Sequence, residues 1–257
     1  MSEIKSLYSR KGFREHIFPN LRPPWGLKEI LVILGVVYLY GISWSLFGAR
    51  LVDRVLFFFP GIHSPRLASF LLGGLIQTVV LGGLVLGFAR GKSRAPFTYL
   101  GLTRFSWRDL LITGIVGGSS IFSLVILVMA LIISILPHYP QPQPFAELIL
   151  ETREWHEMVI PLILGGILAP LGEELYFRGF IYPVFRSRFG VFPAVLITSI
   201  FFAALHFDLV RFFPLALGGA GLTLICEKTG SLFPALAAHS TWNVAMTLLV
   251  FLGGHAL

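Results

Sequence analysis

Leu171-Gly-Glu-Glu-Leu-Tyr-Phe-Arg-Gly-Phe180 places Glu173, Glu174 and Arg178 inside an apolar run that starts near Met158 and continues to about Val184. Such a run reads as a membrane-spanning helix, where an unpaired charge near the bilayer centre costs on the order of 3 kcal/mol even on a lenient insertion scale. On a helix Glu174 and Arg178 stand one turn apart and can pair, while Glu173 points about 100° away. The partner of Glu173 has to come from elsewhere in the chain.

The composition is that of a membrane protein. The 257 residues are 55% hydrophobic and only 13% charged, against roughly 25% charged in soluble domains, and mean hydropathy is +0.80. Apolar segments occur at about Glu29–Ala49, Leu67–Ala89, Leu110–Leu136, Met158–Val184, Phe192–His206, Phe212–Cys226 and Phe233–Leu252. The first four are long enough for a hydrocarbon core that needs about 20 residues, and the next two are short. The expected fold class is all-α, a polytopic transmembrane helical bundle of about seven to eight helices, the eighth arising if the long fourth segment is broken. After the proline-rich break Pro137–Pro144, Phe145, Leu148, Ile149 and Trp155 recur at helical spacing opposite Glu147, Glu151 and Glu154, which predicts a short interfacial helix. Gly83 and Gly87, and Gly114 and Gly118, are small residues four apart and predict close helix packing. Three regions follow: a basic N-terminal segment at 1–28, helices and connector at 29–157, and a transmembrane core at 158–257 that carries the buried charges.

Residues 1–28 lack an apolar core and do not read as a signal peptide. The net charge of +7 is assigned to topology and anionic lipid rather than to nucleic acid. Fourteen Lys and Arg fall in the N-terminal segment and every second loop, against five in the alternate loops. That asymmetry predicts a multi-pass protein with a cytoplasmic N-terminus and an external C-terminus, in the plasma membrane if the source is prokaryotic. The single cysteine, Cys226, excludes an intrachain disulfide and a Cys-based metal cluster, and it reads as a packing residue.

Polar residues within the apolar segments are few. Phe202-Ala-Ala-Leu-His206 ends the fifth segment in a histidine, and His239-Ser-Thr-Trp-Asn243 sets a histidine and an asparagine one turn apart in the seventh. Glu173 is 13 residues from Arg186, His206 is 14 from Phe192 and Asn243 is 15 from Lys228, so at ~1.5 Å per residue each lies about 20 Å from one side. Three helices thus deliver Glu, His, His and Asn to one layer. A single intramembrane His or Asn is usually an interhelical hydrogen bond, but a matched set with buried carboxylates marks function.

Glu173-Glu174-x-x-x-Arg178, Phe202-x-x-x-His206 and His239-x-x-x-Asn243, in that order, resemble the three signature motifs of the CAAX protease and bacteriocin-processing (Abi) family of membrane endopeptidases. The resemblance covers about residues 158–250. It implies an intramembrane endopeptidase of glutamic type, in which Glu173 and His206 activate water. His239 and Asn243 are suited to stabilise the oxyanion, a contribution worth about 3 kcal/mol per donor. Glu174, Arg178 and Phe202 are expected to support them. The implied substrate is a protein or peptide cut near a hydrophobic, lipidated or otherwise membrane-anchored segment, as in CAAX-type, bacteriocin-type or sorting-signal processing. No cofactor is expected.

Rival readings remain at this point. Glu173, His206 and His239 supply the donor types of a zinc site, the runner-up. His156-Glu157-Met-Val-Ile160 lacks the second histidine of a zinc-protease motif, and Ser199 and Ser240 lack the flanks of a nucleophile elbow. A proton-coupled transporter would use the same side chains, although no internal repeat is visible. A binding or immunity protein is the third class. The side of access is also open: depth counting places the layer nearer the outside, whereas CAAX-trimming relatives imply access from the cytosol.

Overall fold

The computed structural model describes residues 22–58, 64–102, 105–138, 140–152 and 155–255. Most of the basic N-terminal segment therefore lies outside the described residues, as do Arg153 and Glu154. Nine helices and no strand occur among the described residues. They are α1 (Leu27–Phe58), α2 (Pro65–Lys92), α3 (Pro96–Tyr99), α4 (Trp107–Ile135), α5 (Pro144–Glu151), α6 (Val159–Phe189), α7 (Val191–Ala204), α8 (Phe212–Thr229) and α9 (Leu232–His255).

Local sequence explains the boundaries. Ser64 accepts a hydrogen bond from the Leu67 amide and Pro65 opens α2, while Ser106 accepts from the Asp109 amide at the start of α4. Gly190 (φ 79°) separates α6 from α7 and Gly230 (φ 66°) ends α8, both in conformations that favour glycine.

Helices α1, α2, α4, α6 and α9 are long and apolar enough to cross a membrane. The 14 residues of α7 extend only about 21 Å, short of a ~30 Å hydrocarbon core. The fourth apolar segment stays one continuous helix, so seven substantial helices form the bundle, with α3 and α5 as short connectors. Helix α5 is the expected amphipathic connector, burying Leu148 and Ile149 and sending Glu147 and Glu151 to Arg66. Helix α1 runs past the expected end to Phe58, so Arg50 and Arg54 stand on a helix rather than in a loop.

The two ends of the bundle are distinct. One gathers Glu29 with Lys92 and Arg186 with Glu227; the other gathers Arg66 with α5 and Trp155 with Phe251. Near the first end Trp25 stacks on Phe180 at 4.8 Å and donates from Nε1 to the Phe180 carbonyl, while Tyr176 donates to the Ile30 carbonyl.

Of the two glycine pairs, only one packs as expected. A Cβ on Gly118 would meet the Ala238 carbonyl oxygen at 2.5 Å and one on Gly114 the Ala237 Cβ at 2.9 Å, which fixes the close approach of α4 and α9. Gly83 and Gly87 are exposed with nothing within 4 Å, because they point away from every neighbouring helix. The α1–α2 approach uses Gly48 and Gly73 instead, which enclose the Trp44 indole.

Candidate active site

Helix α6 carries both glutamates, and two prolines shape it. Its turns widen to π geometry at Leu164–Leu168 and again at Leu175–Ile181, in each case two residues before a proline, Pro170 and Pro183. In the first stretch the Ala169 amide donates five residues back to Leu164. The next bond in that register would reach the Gly165 carbonyl from residue 170, and proline has no N–H to supply it. Asn243 fills the vacancy from α9, its Nδ2 donating to the Gly165 carbonyl at 2.8 Å. Two irregularities of one helix thereby fix a polar side chain of another.

Behind this surface lies the pair expected from the i, i+4 spacing. Glu174 and Arg178 are both fully buried, with Arg178 Nη1 donating to Glu174 Oε1 at 2.6 Å. Arg178 also donates from Nη2 to the Gly219 carbonyl and from Nε to Thr223, and its guanidinium lies 4.7 Å from the Phe202 ring centre. A buried charge pair is tolerable only when its remaining donors are satisfied, and α8 satisfies them.

One link was not foreseen. His239 Nδ1 donates to Glu174 Oε1 at 2.8 Å, so the same oxygen accepts from Arg178 and His239. The other oxygen, Oε2, has no hydrogen-bond partner among the described residues. Spacing alone pairs Glu174 with Arg178 and gives no sign of a histidine 65 positions away. With Nδ1 bound to a carboxylate, the Nε2 atom of His239 faces Glu173, 3.8 Å from its Oε2. Glu173 keeps 30% of its side chain exposed, in contrast to Glu174.

His206 follows the end of α7, where Phe207 turns the chain at φ 51°, a left-handed conformation unusual for a bulky residue. Its Nδ1 donates to the Phe202 carbonyl at 2.8 Å, which leaves Nε2 as the free ring nitrogen. Phe202 meets the His206 ring at 4.8 Å and the His239 ring at 6.0 Å, and so packs between the guanidinium and both imidazoles.

Glu173, His206, His239 and Asn243 all line one cavity of about 1080 Å³. Its walls are mostly apolar: Trp44, Phe70, Met129, Leu168 and Trp242 among them, with Gln77 and Arg211 as further polar contributors. Neither Trp44 nor Gln77 was singled out in the sequence, since each reads as an ordinary residue of its helix. No group of three or more His, Cys, Asp and Glu side chains is gathered at metal-binding spacing among the described residues. Ser199 is buried, donates to the Val195 carbonyl of its own helix and does not line the cavity. His156 lies in the turn before α6, away from this cavity.

Residues 155–245 match the family described as type II CAAX prenyl endopeptidase Rce1-like. This part of the chain is similar to Rce1-like domains. It is similar to the CAAX protease and bacteriocin-processing proteins whose three motifs it resembles, and the chain around it has five helices long and apolar enough to cross a membrane. A curated Escherichia coli protein, "Uncharacterized 24.3 kDa protein", is 38% identical over 66 residues, which are 25% of this chain and 30% of that protein. The chain thus spans less than a third of that relative's length. No solved structure matches the chain. The matched residues take in α6, α7, α8 and most of α9, among them the three helices that supply the polar layer.

Proposed function

We propose that the protein is a glutamic-type intramembrane endopeptidase that hydrolyses a peptide bond near a hydrophobic segment of a protein substrate. The observation that carries this reading is the placement of Glu173, His206, His239 and Asn243, from three helices, on one apolar cavity backed by a buried ion pair. Glu173 is the exposed carboxylate of the two and takes the proton from water. His206, with Nδ1 committed to the Phe202 carbonyl, presents Nε2 to the same space and returns the proton to the leaving amine. Asn243 retains a second amide hydrogen beyond the one given to Gly165, and His239 in its imidazolium form donates from Nε2. Together they stabilise the oxyanion. Glu174, Arg178 and Phe202 hold these groups in place.

The reading is metal-free. Among the described residues the Glu173, His206 and His239 donors are not gathered as a ligand set. Activity is therefore expected to persist in EDTA. The deciding experiment compares polypeptide termini by mass spectrometry in cells carrying wild-type protein or Glu173→Gln. Precursors that accumulate only in the variant support an endopeptidase. Identical termini, with the variant stably inserted, would favour a transporter or binding protein.

A further inference from the structure

The cavity is lopsided along the bundle. Every connector residue on its wall, Pro140, Pro142, Gln143 and Arg211, belongs to the end that carries Arg66 and α5. No residue of the opposite end, where Glu29, Lys92, Arg186 and Glu227 meet, lines it. The cause is the shortness of α7. His206 stands 15 residues beyond Val191, about 22 Å up a ~30 Å core, so the turn joining α7 to α8 stops roughly 10 Å below the far surface. That turn is polar. Asp208 pairs with Arg211 and accepts from Gln143, and Arg211 donates to the Gln141 carbonyl. The proline-rich connector therefore descends onto the turn as a roof, and α5 is tied to α2 by the Arg66 ion pairs. Below the roof, α2 and α4 both line the cavity without packing substantially on each other, with Phe70 on the α2 wall and Met129 on the α4 wall.

Among the described residues, nine Lys and Arg side chains from Arg22 to Lys228 belong to the closed end, against Arg50, Arg54, Arg66 and Arg211 toward the roofed end, an asymmetry that places the closed end in the cytoplasm. We infer that the site opens to the extracytoplasmic half of the membrane, and that its substrates are exported polypeptides whose apolar anchors enter sideways between α2 and α4. This rests on the protease reading for its substrate and on loop charge for its direction. An apolar anchor matches the mostly apolar walls that α2 and α4 give the cavity. The bond it presents would lie about 10 Å beneath the outer surface, at the level of His206.

Two measurements test the two halves separately. In a Cys226→Ala background, Gln141→Cys on the roof and Arg108→Cys at the opposite end are treated with a membrane-impermeant maleimide in spheroplasts. Gln141→Cys is expected to react in intact spheroplasts and Arg108→Cys only after lysis; the reverse pattern overturns the direction. In the comparison of termini, products lost in Glu173→Gln are expected to map to exported chains, in the outer half of an apolar anchor. Lost products that all lie in cytoplasmic proteins or tails overturn the substrate class. If the roof labels from outside and no termini differ, the protease reading and its substrate class fall together, and the direction of opening stands.

Discussion

Glu174 Oε1 accepts hydrogen bonds from both Arg178 Nη1, at 2.6 Å, and His239 Nδ1, at 2.8 Å, with Glu174 and Arg178 fully buried. One carboxylate oxygen therefore couples the ion pair of α6 to the imidazole of α9. Removing either charge leaves the other buried and uncompensated, a loss of about 3 kcal/mol or more. We expect Arg178→Ala and Glu174→Gln to lower the melting temperature in detergent and to abolish cleavage. An unchanged melting temperature with lost activity would instead place Arg178 among the groups that touch substrate.

Glu173 behaves differently although it is the adjacent residue. It is partly exposed to the cavity, and its contact with His239 Nε2, at 3.8 Å, is too long for a hydrogen bond. Glu173→Gln should thus lose at least about 100-fold in turnover while stability stays within about 0.5 kcal/mol. Thermal melts of the two glutamine variants, run side by side, check the distinction.

Much of this arrangement was legible in the sequence. The i, i+4 spacing of Glu174 and Arg178 was enough to pair them, because one helix fixes their geometry. Counting residues from the basic loops put Glu173, His206 and Asn243 in one layer, because rise per residue is nearly constant. The Glu174–His239 bond was not legible: it depends on how α9 rotates about its axis against α6, which neither periodicity nor depth fixes. The same limit explains Gly83 and Gly87, a small-residue pair on a face of α2 that meets no helix. The widened turns of α6 had a signal in Pro170 and Pro183 that spacing rules for the motifs did not use.

Pro170 offers a test that leaves the polar residues untouched. Alanine at this position restores an N–H that can reach the Gly165 carbonyl and compete with Asn243. We expect Pro170→Ala to reduce turnover with no loss of melting temperature, and Asn243→Ala to lose about 100-fold in turnover with roughly 1 kcal/mol of stability. Full activity in Pro170→Ala would argue that the Gly165 contact does not position Asn243.

The glycines separate cleanly by what a methyl group would meet. Gly118→Ala must push against the backbone of Ala238 at 2.5 Å and is expected to destabilise by about 1–3 kcal/mol. Gly83→Ala and Gly87→Ala meet nothing and should be neutral or stabilising by up to about 1 kcal/mol, through helix propensity. Melting temperatures of the three variants in one detergent provide the comparison.

The roof contact between Asp208 and Arg211 carries its own pH dependence. Burial pushes the Asp208 carboxyl up, but hydrogen bonds from the Arg211 guanidinium and amide and from Gln143 outweigh it, so the group ends below its ordinary value. A carboxyl whose folded value is depressed contributes stability that is fully present above its unfolded value, near 3.9, and is lost as pH falls through the folded one. Because both side chains retain some exposure, the contribution is under about 1 kcal/mol. We expect the melting temperature of wild-type protein to begin falling as pH drops below about 4, and Asp208→Asn to remove that part of the acid dependence. Impermeant labelling at Gln141→Cys, run at neutral pH where the thiolate reacts, should be faster with Asp208→Asn than with Asp208 in place, and an unchanged rate would show that the pair does not hold the connector down.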